Sequence, residues 1–129
     1  MALTTDDIVA IHQLYAEYCH AIDEGDGDAF GACFVPDGKL GSGGPALEGR
    51  EALASFATKT PLRTPGIRHA VTNIHARGDG DRAEGRAYFV GYSAVGGEVI
   101  VRTTGRYRDD LQRVDGTWLF VERRFTADT

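Results

Sequence analysis

A chain of 129 residues holds one compact domain with a single core and has no room for a second. Hydrophobic residues at 42% and charged residues at 26% are globular values, and 17 glycines without a repeat period exclude collagen-like or low-complexity structure. The 14 basic and 19 acidic side chains leave −5 with no clustered positive face, which argues against a nucleic-acid partner, and apolar runs such as Val99-Ile100-Val101 fall far short of the ~20 residues of a membrane span.

Met1-Ala2-Leu3-Thr4 carries neither a basic segment nor a long apolar one, so a cytoplasmic protein is expected. Thr4 to Glu24 then places Ile8, Ile11, Tyr15, Tyr18 and Ile22 three and four residues apart, one stripe along a helix. Thr4 is its N-cap with Asp7 three residues on, and glycines 25 and 27 end it. A short second helix over about 26–34 buries Phe30 and Phe34 before Pro36-Asp37-Gly38 turns the chain, and Gly41 to Pro45 reads as a loop. The third helix begins near Arg50, buries Leu53 and Phe56, and is expected to end before Pro61. Cys19 and Cys33 lack a CxxC spacing and read as reduced packing residues.

From Ile67 the pattern becomes β, in segments near 67–77, 81–94, 98–111 and 117–126 joined by Gly-rich hairpin turns. Three helices followed by a four-stranded meander predict an α+β domain. Its curved, mainly antiparallel sheet wraps around the long N-terminal helix as a cone, with a pocket at the mouth. Alternation puts Val99, Val101, Thr103, Gly105 and Tyr107 on the inward face of the third segment. In the last segment, the row of Trp118, Phe120, Glu122 and Arg124 and the row of Leu119, Val121, Arg123 and Phe125 are both open as pocket-facing rows.

Several motifs in order resemble the SnoaL-like branch of the nuclear transport factor 2-like superfamily. They are Tyr15 through Asp26 with Phe30 and Phe34, Gly49-Arg50-Glu51-Ala52, Arg68-His69-Ala70-Val71-Thr72-Asn73, and Gly105-Arg106-Tyr107 through Trp118 to Arg124. The resemblance covers nearly the whole chain and implies the cone fold and a homodimer or homotrimer. It is nearest to the scytalone dehydratase, dehydrochlorinase and bile acid dehydratase group. There an Asp near the end of the first helix orients a His on the first long strand, positions matched by Asp23 and His69, and a Tyr five residues before the Asp matches Tyr18.

Chemistry gives the same residues a reason. A histidine titrates near neutrality and accepts a proton readily, and a carboxylate on its other ring nitrogen fixes the tautomer and stabilises the imidazolium. His69 alone reads as a satisfied core histidine, Asp23 as a solvated residue before a glycine, and Tyr18 as core. Together they predict base, orienter and hydroxyl donor. Tyr15, Ile22, Val71, Phe89, Tyr92 and Tyr107 are expected to line the substrate pocket.

No cofactor is implied. His69 and His75 share strand parity but stand roughly 20 Å apart, and His12 and His20 are ~12 Å apart along their helix, so neither pair holds one metal ion. There is no phosphate loop or dinucleotide fingerprint, and Ser42 and Ser93 lack a nucleophile elbow. The chain also departs from relatives. Ser42 stands where ketosteroid isomerases carry a carboxylate, and Tyr92 where scytalone dehydratases carry a second His.

The expected function is a cofactor-independent lyase or isomerase of dehydratase or cyclase type, acting on a small hydrophobic cyclic substrate. The competing reading is a non-catalytic ligand-binding or assembly module, which would follow if Asp23 pointed away from His69.

Overall fold

The structure, a computed structural model, describes residues 1–129. Helix α1 (Thr5–Glu24) is capped as its sequence requires: Thr4 Oγ1 accepts from the Asp7 N–H at 3.1 Å, and the Thr4 N–H donates to the Asp7 carboxylate at 2.9 Å. Gly25 closes the other end in a left-handed conformation, φ 70°. The buried stripe is Ile11, Leu14, Tyr15, Tyr18 and Ile22, whereas Ile8, expected in it, is exposed on the first turn. Helix α2 (Gly27–Ala32) is shorter than predicted, because Phe34 has already entered a strand.

That strand, β1 (Phe34–Gly41), and the two-residue β2 (Leu47–Glu48) occupy chain that the Pro and Gly residues suggested was turn and loop. Lys39, Leu40 and Gly41 pair in parallel with Glu122, Arg123 and Arg124, so the missing strand is supplied by partners more than eighty residues away. Helix α3 (Arg50–Arg63) runs through Pro61. The proline lies in its last turn, where losing one backbone hydrogen bond costs the least.

The predicted meander is present as β3 (Ile67–Asp79), β4 (Arg82–Val95), β5 (Glu98–Val114) and β6 (Thr117–Ala127). The sheet has six strands in the order β2-β1-β6-β5-β4-β3, antiparallel except at β1–β6, and the helices cover its concave face. No helix is long and apolar enough to cross a membrane.

Besides an irregularity in the β1–β6 pair between Phe34 and Lys39, bulges in β3, β5 and β6 bend the sheet and reset its alternation. In β3 the register slips between Thr72 and His75, at Asn73 with φ 57°, and the inward row passes from Ile67, His69 and Val71 to Ile74 and Ala76. His75 therefore lies on the opposite face from His69, correcting the shared parity read from sequence. In β5 Arg102 is the extra residue, so Thr103, Gly105 and Tyr107 face inward as predicted while Val99 and Val101 turn outward and are exposed. In β6 Val121 is the extra residue, and the inward set is Trp118 and Phe120 followed by Arg123 and Phe125. Both rows contribute, one on each side of the bulge.

The first turn of α1 is bonded to the far end of the sheet through Asp7. Trp118 Nε1 donates to it at 3.1 Å and Arg113 at 3.0 Å. The Thr4 backbone N–H and the Trp118 indole hold the Asp7 carboxyl below its ordinary range. A depressed carboxyl stabilises the fold fully above its unfolded pKa and loses that contribution as pH falls through the folded value. Asp7→Asn is therefore expected to unfold at lower denaturant than wild type at pH 7, with the gap narrowing below about pH 4. Urea melts across that range measure it.

Candidate active site

Asp23 sits in the last turn of α1 and His69 is the third residue of β3. Strand β3 is an edge strand, paired only with β4, and such a strand leaves N–H groups without a strand partner. The Asp23 carboxylate takes that place: both its oxygens accept from the His69 backbone N–H at 3.1 Å. Asp23 Oδ1 also lies 2.6 Å from His69 Nδ1, and each side chain is 12% exposed. A carboxylate at Nδ1 makes that nitrogen the donor and leaves Nε2 with its lone pair.

His69 meets the Phe89 ring at 5.2 Å and enters a cavity of about 400 Å³ under the concave face. Tyr18, Ile22, Phe89, Tyr107 and Phe125 are among its wall residues, with Ser42 and Thr103 adding hydroxyls. The rings pack edge to face: Phe89 lies 5.6 Å from Tyr107 and 5.4 Å from Phe125, and Tyr18 lies 6.2 Å from Tyr107. Planar, mostly apolar ring systems match such walls.

The predicted pocket divides. Tyr18, Ile22, Phe89, Tyr107 and His69 line this cavity, whereas Tyr15, Val71 and Tyr92 do not. Those three border a second hollow of about 620 Å³, between the exposed side of α1 and the β3 edge, onto which Asp23 also opens. Tyr15 is withdrawn because its hydroxyl donates to Asp109, and Tyr92 follows the outward row of β4. His69 borders both hollows, and the smaller one has the more aromatic wall. The larger one runs along the exposed His12, His20 and Glu24.

Asp109 and Arg123 are the polar residues sequence reasoning missed. Arg123 is wholly buried and donates from Nε to Asp109 Oδ1 at 2.9 Å and from a terminal nitrogen to Oδ2 at 3.3 Å. Burial pushes the Asp109 carboxyl up, and Arg123 and the Tyr15 hydroxyl oppose that. Burial also works against the Arg123 charge, but the Asp109 carboxylate holds the guanidinium protonated. The available signal was parity, since Asp109 continues the inward row of Thr103, Gly105 and Tyr107. Gly85, opposite Asp109 on β4, makes room: a Cβ there would collide with the Tyr15 hydroxyl. Cys19 and Cys33 are free and buried, their thiols pushed up to about 11 and about 12, first of all by burial. No three His, Cys, Asp or Glu side chains converge as metal ligands.

The SnoaL-like domain model matches residues 4–124. The chain belongs to the SnoaL-like domain family. The fold of this SnoaL-like chain is the nuclear transport factor 2-like cone. It is similar to Rv3472 of Mycobacterium tuberculosis, a protein of unknown function, with 34% identity and TM-score 0.88 over 94% of this chain and 71% of that one. A Catenulispora acidiphila protein solved in complex with S-DNPA shares 25% identity and TM-score 0.85 over 97% and 96% of the two chains. A candidate scytalone dehydratase from Novosphingobium aromaticivorans, 21% identical over 95% of this chain and 84% of that one, shares the fold at TM-score 0.82. A search of curated proteins finds no match.

The Asp23 contact predicts a short, polarised Nδ1–H hydrogen bond on His69. Wild type should show a strongly downfield imidazole N–H proton resonance that is lost or moves upfield in Asp23→Asn, with the circular dichroism spectrum retained. An unchanged resonance in the variant would show that the carboxylate does not orient the ring.

Proposed function

We propose that this SnoaL-like protein is a cofactor-independent lyase or isomerase that abstracts a proton from a small hydrophobic cyclic substrate in the cytoplasm. The observation that carries the reading is the 2.6 Å contact between Asp23 and His69 Nδ1, which frees Nε2 beside an aromatic cavity. His69 is the general base: its Nε2 takes a proton from carbon next to a carbonyl, and Asp23 stabilises the imidazolium that results. Phe89, Tyr107 and Phe125 hold the ring of the substrate, and Tyr18 donates to the oxygen that gains charge. Dehydration, isomerisation and aldol cyclisation share this first step. The outward apolar strip of Tyr88, Val90, Val99 and Val101 is exposed. A strip of this kind is the surface through which we expect two or three copies to associate.

Two experiments follow. Sedimentation should give a dimer or trimer for wild type and a smaller species for Val99→Lys/Val101→Lys. For the chemistry, wild type should catalyse exchange of the acidic ring protons of 2-tetralone in D2O, followed by NMR, and His69→Ala should slow it about 10²–10⁴-fold. Exchange as fast in the variant as in wild type removes His69 as the base.

A further inference from the structure

The convex face of the sheet carries charges that its own residues do not balance. Arg86, Arg108 and Arg124 stand opposite one another on β4, β5 and β6, and His75 on β3 completes the row. Side chains directly opposite in a sheet are neighbours, and like charges there destabilise the pairing. Carboxylates are near, in the next row along, where Glu84, Asp110 and Glu122 follow Arg77. They are already engaged: Glu84 accepts from Arg77 at 3.3 Å, and Asp110 and Glu122 each lie 3.2 Å from the Arg124 guanidinium. Arg86 and Arg108 take no part in these pairs, and neither does Arg106, two residues along β5 on the same face. In a chain of net charge −5, three exposed guanidiniums without a carboxylate are not a by-product of composition. They form no run along the chain either. Only the β4–β5 register sets Arg86 beside Arg108, which is why a reading of the sequence finds no positive face.

Arg86, Arg106 and Arg108 line a hollow of about 320 Å³ together with Asn73, His75 and Tyr88. The β3 bulge supplies two of these residues. Asn73 holds φ 57°, a conformation costly for a residue with a Cβ and best tolerated by asparagine, and the slip it introduces turns His75 outward, opposite Arg86. Three guanidiniums, an imidazole and an amide all offer N–H donors, and no carboxylate lines the hollow. Tyr88, opposite Arg106 and 56% exposed, adds a ring face where the basic row gives way to the apolar strip. Guanidinium forks with their N–H groups unspent match the oxygens of a phosphate.

We propose that this hollow is an anion site on the convex face, taking a phosphate dianion, free or as a monoester, on Arg86, Arg106 and Arg108, with any ester group against Tyr88. One phosphate brings the opposite charge to guanidiniums that the sheet holds side by side. A nucleic-acid backbone does not suit the place, because Glu84, Asp110 and Glu122 border the basic row and repel the next phosphate along. The hollow and His69 lie on opposite faces of the sheet, so the site stands or falls independently of the proton-abstraction reading.

Proton–nitrogen NMR titrations with inorganic phosphate and with phenyl phosphate test it, at fixed ionic strength and about pH 8, above the second pKa of a phosphate. Both probes should give saturable shifts at the backbone amides of Asn73, Arg86, Arg106 and Arg108. Equal affinities identify the free ion as the ligand, and tighter binding of phenyl phosphate that Tyr88→Ser abolishes identifies an aryl ester. Arg86→Gln/Arg108→Gln, two changes on the exposed face, should weaken both probes at least about 10-fold. Arg77→Gln, which removes a cation of the same face that Glu84 already neutralises, should leave both affinities unchanged. Shifts that do not saturate, shifts spread over the other arginines of the chain, or an equal loss in Arg77→Gln overturn the proposal, since each marks diffuse charge screening in place of a site.

Discussion

The bond network around Asp109 fixes the geometry of the domain. One carboxylate, on β5, receives the guanidinium fork of Arg123 from β6 and the hydroxyl of Tyr15 from α1. Removing one partner of such a buried pair strands the other charge and costs roughly 3–5 kcal/mol, a large part of the stability of a domain this size. The network also sets where α1 crosses the sheet. Asp7, Tyr15 and Asp23 follow one another at eight-residue intervals, ~12 Å of helix each, and every one is bonded to a strand. Asp7 meets β5 and β6, Tyr15 meets β5, and Asp23 meets β3. A helix pinned at three heights by directed polar bonds cannot slide or roll as one held by apolar packing alone can. That rigidity fixes the Asp23 carboxylate of its last turn against His69.

The parts of this fold legible in the sequence were those governed by local periodicity. The stripe of α1, its Thr4 cap and Gly25 stop, and the four long β segments follow from spacing and from glycine turns. Asp23, His69 and Tyr18 were legible only because a family resemblance joined positions 46 residues apart, since each alone has an ordinary structural reading. Strand β1 was hidden, because its Pro36 and Gly38 break the local pattern and its partner is β6, at the other end of the chain. Long-range pairing overrides local propensity, and nothing within the segment announces it.

The bulges account by one mechanism for which side chains face the core. Alternation has a period of two, so a single inserted residue moves every later side chain to the other face. Asn73, Arg102 and Val121 each do this: His75, Val99 and Val101 face outward against the alternation expected for them, and in the last strand, where both rows were open, Arg123 and Phe125 face inward. Without the Val121 bulge, Glu122 would follow Phe120 into the core and Arg123 would face solvent. The bulge bends the strand and also puts the buried cation in place.

The dyad and the fold are one device. An edge strand must satisfy its free N–H groups or offer them to another chain, and at His69 the satisfying group is a helix carboxylate in place of a neighbouring strand. The same two oxygens then fix the imidazole at Nδ1. His69 backbone and ring are therefore positioned by a single residue, and the side chain cannot rotate away without leaving that carboxylate. Asp23 lies where α1 ends, beside the β3 edge. Gly25, two residues on, ends α1 at the turn where Asp23 reaches both groups. The placement of His69 follows from where a helix stops and from which strand has a free edge, and the imidazole so placed borders an aromatic-walled cavity.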